Sequence, residues 1–145
     1  MSGTLPSNSP VPQGRYVSAS RVGDLIYTSG MTPRQDGALM FTGPVGAGDP
    51  VENWREAVVL AARNALAAAR SRLAEGERIA AVPSLTVFIA AEAGFVLHSR
   101  LADFASDFLH EELGEAGIGS RAAVGVATLP GNAPIEIQLI AAAYR

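Results

Sequence analysis

Two charged residues near the end of the chain sit where buried strands would normally carry none. Arg121 opens the apolar run Ala122-Ala123-Val124-Gly125-Val126, and Glu136 stands between Ile135 and Ile137 in the next run. Pro130-Gly131-Asn132 joins the two. An arginine keeps its proton in a protein, so it cannot act as a general base. Its planar fork suits a carboxylate or a phosphate. The plainer alternative for Arg121 is a strand-end cation that reaches solvent or pairs with a structural carboxylate. Glu136 could handle a proton or a water. By ordinary alternation it could equally share a solvent-facing side with Gln138.

The other polar candidates are Tyr16 and the strand end Thr28-Ser29-Gly30. Hydroxyl and backbone N–H groups at a strand end can hold an anion, although a half-buried tyrosine and a terminating glycine explain the same residues. His98 and His110 fall on a helical segment, where a surface or capping role is the default. Asp103, Asp107 and His110 share a helical spacing that could hold a metal. They match no ligand motif, and a solvated helix face accounts for them, so no metal and no cofactor are expected.

The rest of the inventory narrows the chemistry. The 145 residues contain no cysteine, and all eleven basic residues are arginines. Thiol nucleophiles, disulfides, cysteine-based metal sites, Schiff bases and a Walker lysine are therefore absent. The net charge of −3 and the scattered basic residues disfavour nucleic acid as a partner. No basic-then-apolar leader opens the chain, and no apolar run reaches membrane-spanning length. A cytoplasmic protein without a membrane partner is expected.

Elements must position these side chains. Residues 1–14 read as a loose leader ahead of one domain covering 1–145. Residues 15–21 and 25–30 read as strands, and residues 38–42 as one short strand in a Gly/Pro-rich stretch. Asp49 looks like an N-cap with Pro50 at the first helical position and Glu52 behind it. The stripe Val51, Trp54, Val58, Ala62, Ala65, Ala69, Leu73 predicts a helix stopped by Gly76. Residues 79–91 read as a strand, with Pro83 at its start, on an edge or at a bulge. Leu97, Leu101, Phe104, Phe108 and Leu109 predict a second helix over 95–113, and Gly114 stops it. Two apolar strands close the chain, neighbours if Pro130-Gly131-Asn132 forms a hairpin.

That order predicts an α+β two-layer sandwich, a sheet with two helices on one face. The final strands are apolar on both faces, and no third helix remains to cover the second. The second face is therefore expected to pack against other copies of the chain.

The motifs Gly14-Arg15-Tyr16-Val17, Val22-Gly23-Asp24-Leu25, Thr28-Ser29-Gly30, Leu85-Thr86-Val87-Phe88-Ile89, Ser120-Arg121 through Pro130, and Ala133-Pro134-Ile135-Glu136-Ile137 together resemble the RidA/YjgF family over residues 14–144. The segment 102–109 with Gly114-Glu115-Ala116-Gly117 resembles a subgroup whose substrate is less settled. The resemblance implies a chorismate mutase-like fold with a mixed sheet, and a homotrimer with clefts between subunits. It implies hydrolysis of 2-imino or enamine acids to 2-keto acids and ammonia without a cofactor. In that reading Arg121 clamps the substrate carboxylate. Glu136 handles the attacking water with help from the Ala123 carbonyl, and Tyr16, Ser29 and Gly30 line the cleft. A non-catalytic trimer binding a small carboxylate, and a ribonuclease or translation inhibitor, are the alternatives. Departures from the family pattern lie at Arg15, Met31 and Ala122, and the polar cleft residue of the second helix corresponds to His98 or Ser99. They bear on the substrate more than on the reaction.

Overall fold

The longest strand among the described residues, β5 (Arg78–Ala90), lies between the two strands that carry Arg121 and Glu136. The structure is a computed structural model that describes residues 10–145, so residues 1–9 of the expected leader lie outside it. The elements run β1 (Ala19–Val22), β2 (Leu25–Thr28), β3 (Arg34–Gln35), β4 (Ala38–Leu39), α1 (Arg55–Arg70), β5, α2 (His98–Leu113), β6 (Ser120–Val126) and β7 (Ile135–Tyr144). Five strands form one sheet in the order β1-β2-β7-β5-β6. Only β5 and β6 run parallel; the other pairs are antiparallel.

Both helices cover the same face of this mixed sheet, so the α+β expectation holds. Ile26, Val87, Ile89, Ile135, Ile137 and Ala141 point into the layer, all 0% exposed. From the helices come Val58, Ala61, Ala65, Leu101, Ala105 and Leu109, also fully covered. Burial of each large aliphatic among these contributes about 2 kcal/mol. The small contact face of α1, almost all alanine, lets backbone approach backbone. Among the described residues, nothing forms a layer over the other sheet face. Val22, Leu25, Tyr27, Val124 and Tyr144 lie exposed on it, beside Gln138.

Several details differ from the sequence reading. The run from β6 to β7 is no hairpin, because β5 lies between the two strands. Pro130–Asn132 instead makes a single 3-10 turn, with Gly131 and Asn132 at positive φ. That turn is anchored elsewhere: Gly43 N–H donates to the Asn132 carbonyl at 2.8 Å, and Asn132 Nδ2 donates to Gly43 O at 3.1 Å. Asp49 caps no helix. Its carboxylate accepts from Gly46 N–H (2.8 Å) and Trp54 Nε1 (3.1 Å), closing the loop that leads into a 3-10 turn at Val51–Trp54. The first helix ends at Arg70, six residues before Gly76. The first strand begins at Ala19, so Tyr16 and Val17 precede it. The stretch around residue 38 is a two-strand hairpin whose Asp36-Gly37 turn has both residues at positive φ, the geometry such turns require. Pro83 sits at a break in the β5–β7 register between Ala81 and Ser84, a bulge that needs no donor from it.

Candidate functional site

Arg121 and Glu136 end up on opposite faces of the sheet. Across the sheet Arg121 is level with Leu85 and Leu139, and Glu136 is level with Phe88 and Val124. The rows are three residues apart along β5, and side chains alternate faces at every residue. Arg121 therefore points to the helix side and Glu136 to the open side. A single chain does not bring the two together.

The arginine lies on the edge strand β6, and α2 holds it. Nη1 donates to Asp103 Oδ1 at 2.8 Å and to Ser106 Oγ at 3.0 Å. Nη2 donates to Ser99 Oγ at 2.8 Å and to the Ser99 carbonyl at 3.3 Å. The pairing with Asp103 is the structural-carboxylate alternative considered for Arg121 from the sequence. Ser99, Asp103 and Ser106 fall at i, i+4 and i+7, one stripe of a helix. That spacing was readable in the sequence, whereas the stripe weighed and set aside there ran through Asp103, Asp107 and His110. Those three do not converge: Asp103 turns to Arg121, and His110 Nε2 lies 3.5 Å from the Glu115 carboxylate.

Beside the guanidinium is a shallow open hollow of about 600 Å³, lined by Val96, His98, Ser99, Arg121, Ala123 and Gly125, with Val124 at its edge. The His98 ring meets Phe95 edge to face at 4.9 Å and lies against β6 at Gly125. A Cβ at position 125 would stand 2.6 Å from His98 Nε2, so the glycine makes room for the imidazole. Of the two helix residues considered for the cleft, both His98 and Ser99 line this hollow.

On the open side, Glu136 packs against the end of the second strand. Between the Tyr27–Ile140 pair and the Met31–Ile137 bridge, the β2 side carries one residue more than β7. Thr28 Oγ1 fills the gap by accepting from Leu139 N–H at 3.0 Å. Gly30 then lies directly under the Glu136 carboxylate, where any Cβ would collide with it. The carboxylate is half-buried, and among the described residues no group donates to it. Burial pushes the Glu136 carboxyl above its ordinary range. Ser29 turns away: its hydroxyl donates to the Val17 carbonyl at 2.6 Å and its N–H to Ser18 O at 2.9 Å. These bonds pin the segment that carries Tyr16. The Tyr16 hydroxyl accepts from Gln13 N–H at 3.2 Å, and no hydrogen bond links it to Glu136.

The sequence-derived residues thus form two half-sites. Arg121 and Ala123 lie at the β6 edge with His98 and Ser99. Glu136 and Gly30 lie on the open face, with Ser29 and Tyr16 behind them. A larger groove of about 920 Å³ runs along the outer side of α1, past Arg34, Arg63, Asn64 and Arg70. Its polar groups serve the fold: Asn64 Nδ2 donates to the carbonyls of Thr32 and Arg34, and Arg70 pairs with Glu112 at 3.2 Å. Among the described residues, no three acidic or histidine side chains cluster in a way that could hold a metal ion. No helix among them is long and apolar enough to cross a membrane.

Comparison with known proteins agrees with the fold. Residues 4–143 match the family model described as "YjgF/chorismate mutase-like, putative endoribonuclease". Protein TCP17 of Trypanosoma cruzi is 32% identical over 130 residues, 89% of this chain and 81% of that protein. The crystal structure of Atu1372 from Agrobacterium tumefaciens, a protein of unknown function, superposes with a TM-score of 0.83 at 36% identity, covering 92% of this chain and 84% of that one. Escherichia coli TdcF, solved with bound serine, shares the fold with a TM-score of 0.67 at 23% identity, covering 95% of each chain.

Proposed function

The chain belongs to the YjgF/chorismate mutase-like family, and from that premise we propose that it hydrolyses 2-imino or enamine acids to 2-keto acids and ammonia, in clefts between the subunits of a homotrimer. The observation that carries this reading is Glu136. A half-buried carboxylate that no described residue pairs, with burial raising its affinity for a proton, is expensive to keep for structure alone. Clearance around it comes from a glycine, Gly30. A carboxyl shifted upward by burial is suited to general acid–base work.

The chemistry needs little else. An imino acid carries an electrophilic carbon next to a carboxylate. Arg121 of one subunit anchors the carboxylate at the hollow on the β6 edge. Glu136 of the neighbour takes a proton from water as the oxygen bonds to the carbon of the protonated imine, whose nitrogen becomes a neutral amine. Glu136 returns that proton to the nitrogen, the C–N bond breaks to release ammonia, and the hydroxyl proton leaves to solvent as the keto group forms. Most of the acceleration comes from positioning. The opposite orientation of Arg121 and Glu136 supports a shared cleft, because only a second copy can set a Glu136 beside an Arg121. The exposed apolar side chains of the open sheet face give that copy a surface to cover. Serine bound in E. coli TdcF is of the same ligand class, a small amino-substituted carboxylate.

The nucleic-acid reading has less support. Arg21, Arg70, Arg100 and Arg121 are each paired with a carboxylate, and Arg55 and Arg63 stack on Phe104 and Phe108. Six of the eleven arginines are thereby engaged within the chain, and the net charge of −3 disfavours phosphates.

The test is keto-acid formation from an imine released in situ by an amino-acid oxidase. Wild type accelerates it, and Arg121→Ala and Glu136→Gln each lower the rate constant by about 100-fold. No acceleration by wild type, or an Arg121→Ala variant as active as wild type, contradicts the proposal. Tight carboxylate binding without turnover would instead mark a binding trimer.

A further inference from the structure

The guanidinium that would clamp the substrate is already occupied. Each terminal nitrogen of Arg121 makes two hydrogen bonds to α2: Nη1 to Asp103 and Ser106, Nη2 to the hydroxyl and carbonyl of Ser99. An arginine has five N–H donors. These bonds engage all but the Nε–H, which no acceptor among the described residues meets. A second carboxylate cannot add a two-pronged contact to this arrangement; it has to replace one. The four partners are not equal in this respect. Ser106 and Ser99 donate no charge, and the Ser99 carbonyl is part of the helix backbone. Asp103 is itself a carboxylate, its side chain is 58% exposed, and that of Arg121 is 21% exposed. It holds the arginine in the way the substrate would, from the solvent side.

We infer that Asp103 is a resident competitor for the carboxylate site and sets its selectivity. This rests on reading Arg121 as the substrate clamp. A ligand carboxylate binds by exchanging with Asp103 on Nη1, while the two Ser99 contacts keep the guanidinium plane in place. The exchange leaves the Asp103 carboxylate beside the ligand. Its charge then disfavours a second anionic group on the ligand and tolerates a neutral or cationic one. The site therefore takes small monocarboxylates with uncharged or amino-bearing chains, and it rejects dicarboxylates.

Pyruvate and 2-oxoglutarate serve as probes, titrated calorimetrically against the full-length protein at low and moderate salt. Asp103→Asn keeps an acceptor and removes the charge, and the exposure of the side chain makes loss of fold a minor concern. The variant is expected to bind pyruvate about threefold tighter than wild type, the size an exposed ion pair supports. It should gain more for 2-oxoglutarate, and both gains should shrink with salt. Ser106→Ala removes a neutral hydrogen bond and is expected to give no such gain. Unchanged or weaker pyruvate binding by Asp103→Asn, equal gains for both probes, or a matching gain in Ser106→Ala would each overturn the inference. Failure of the clamp itself shows up separately: Arg121→Ala would then bind pyruvate as well as wild type does.

Discussion

Gly30 shows how a single residue can reveal the purpose of its neighbour. Its φ is not in the left-handed region, so backbone freedom does not call for glycine there. What calls for it is the Glu136 carboxylate, which a Cβ would strike. Because the obstacle is the end of a flexible side chain, Gly30→Ala should fold and push the carboxylate aside. The expected result is a fall in kcat of about tenfold or more, with thermal unfolding within a few degrees of wild type. A variant that lost fold and activity together would make Gly30 a structural residue. At this scale the sequence offered Arg121 and Glu136 as candidates by their charge inside apolar runs, and Gly30 both as part of a polar strand end and by family resemblance. It did not show Asp103 and Ser106 as holders of Arg121. Their spacing was visible, but which stripe of α2 faces β6 depends on a parallel β5–β6 pairing that links distant segments.

The elements show the same division between local and long-range information. Apolar spacing predicted both helices and β5, β6 and β7, and proline's missing N–H left Pro83 a strand start, an edge or a bulge, of which the bulge is the one found. The β6–β7 hairpin failed because turn residues alone do not say whether two strands pair. Here the turn is fixed to Gly43, and β5 inserts between them. Another long-range tie leaves no local signal in the sequence. Arg21 on β1 donates to both carboxylate oxygens of Glu77 at 2.6 and 2.9 Å, and to the Arg72 carbonyl at 3.0 Å. Arg72 Nε returns a bond to Ala19 O at 2.8 Å. The edge strand is thereby fastened to the segment after α1. The Arg21 guanidinium, followed by the Ala74 N–H, lowers the Glu77 pKa from 4.5 to about 2. A depressed carboxyl pKa stabilises the fold above the unfolded value, and that contribution is lost as pH falls through the folded one. Glu77→Gln should therefore melt below wild type at neutral pH. The gap should narrow as pH drops from about 4.5 toward about 2, as followed by thermal unfolding monitored with circular dichroism. A gap independent of pH would show that the carboxylate charge is not what fastens β1.

At the scale of the molecule, one chain keeps Arg121 and Glu136 on opposite faces of the sheet. The layer of helices satisfies one sheet face and holds Arg121 at its edge. The other face keeps Glu136 half-buried among exposed apolar side chains. The reading of a catalytic cleft follows from joining these two facts across a subunit boundary, and its directest test is complementation. Arg121→Ala and Glu136→Gln chains are unfolded together, refolded as a mixture and assayed for keto-acid formation. If each cleft takes its arginine from one chain and its glutamate from the next, random mixing restores about a quarter of the clefts. The mixture should then recover about a quarter of the wild-type rate, although each variant alone is nearly inactive. A mixture no more active than the two separate variants would contradict a site shared between chains.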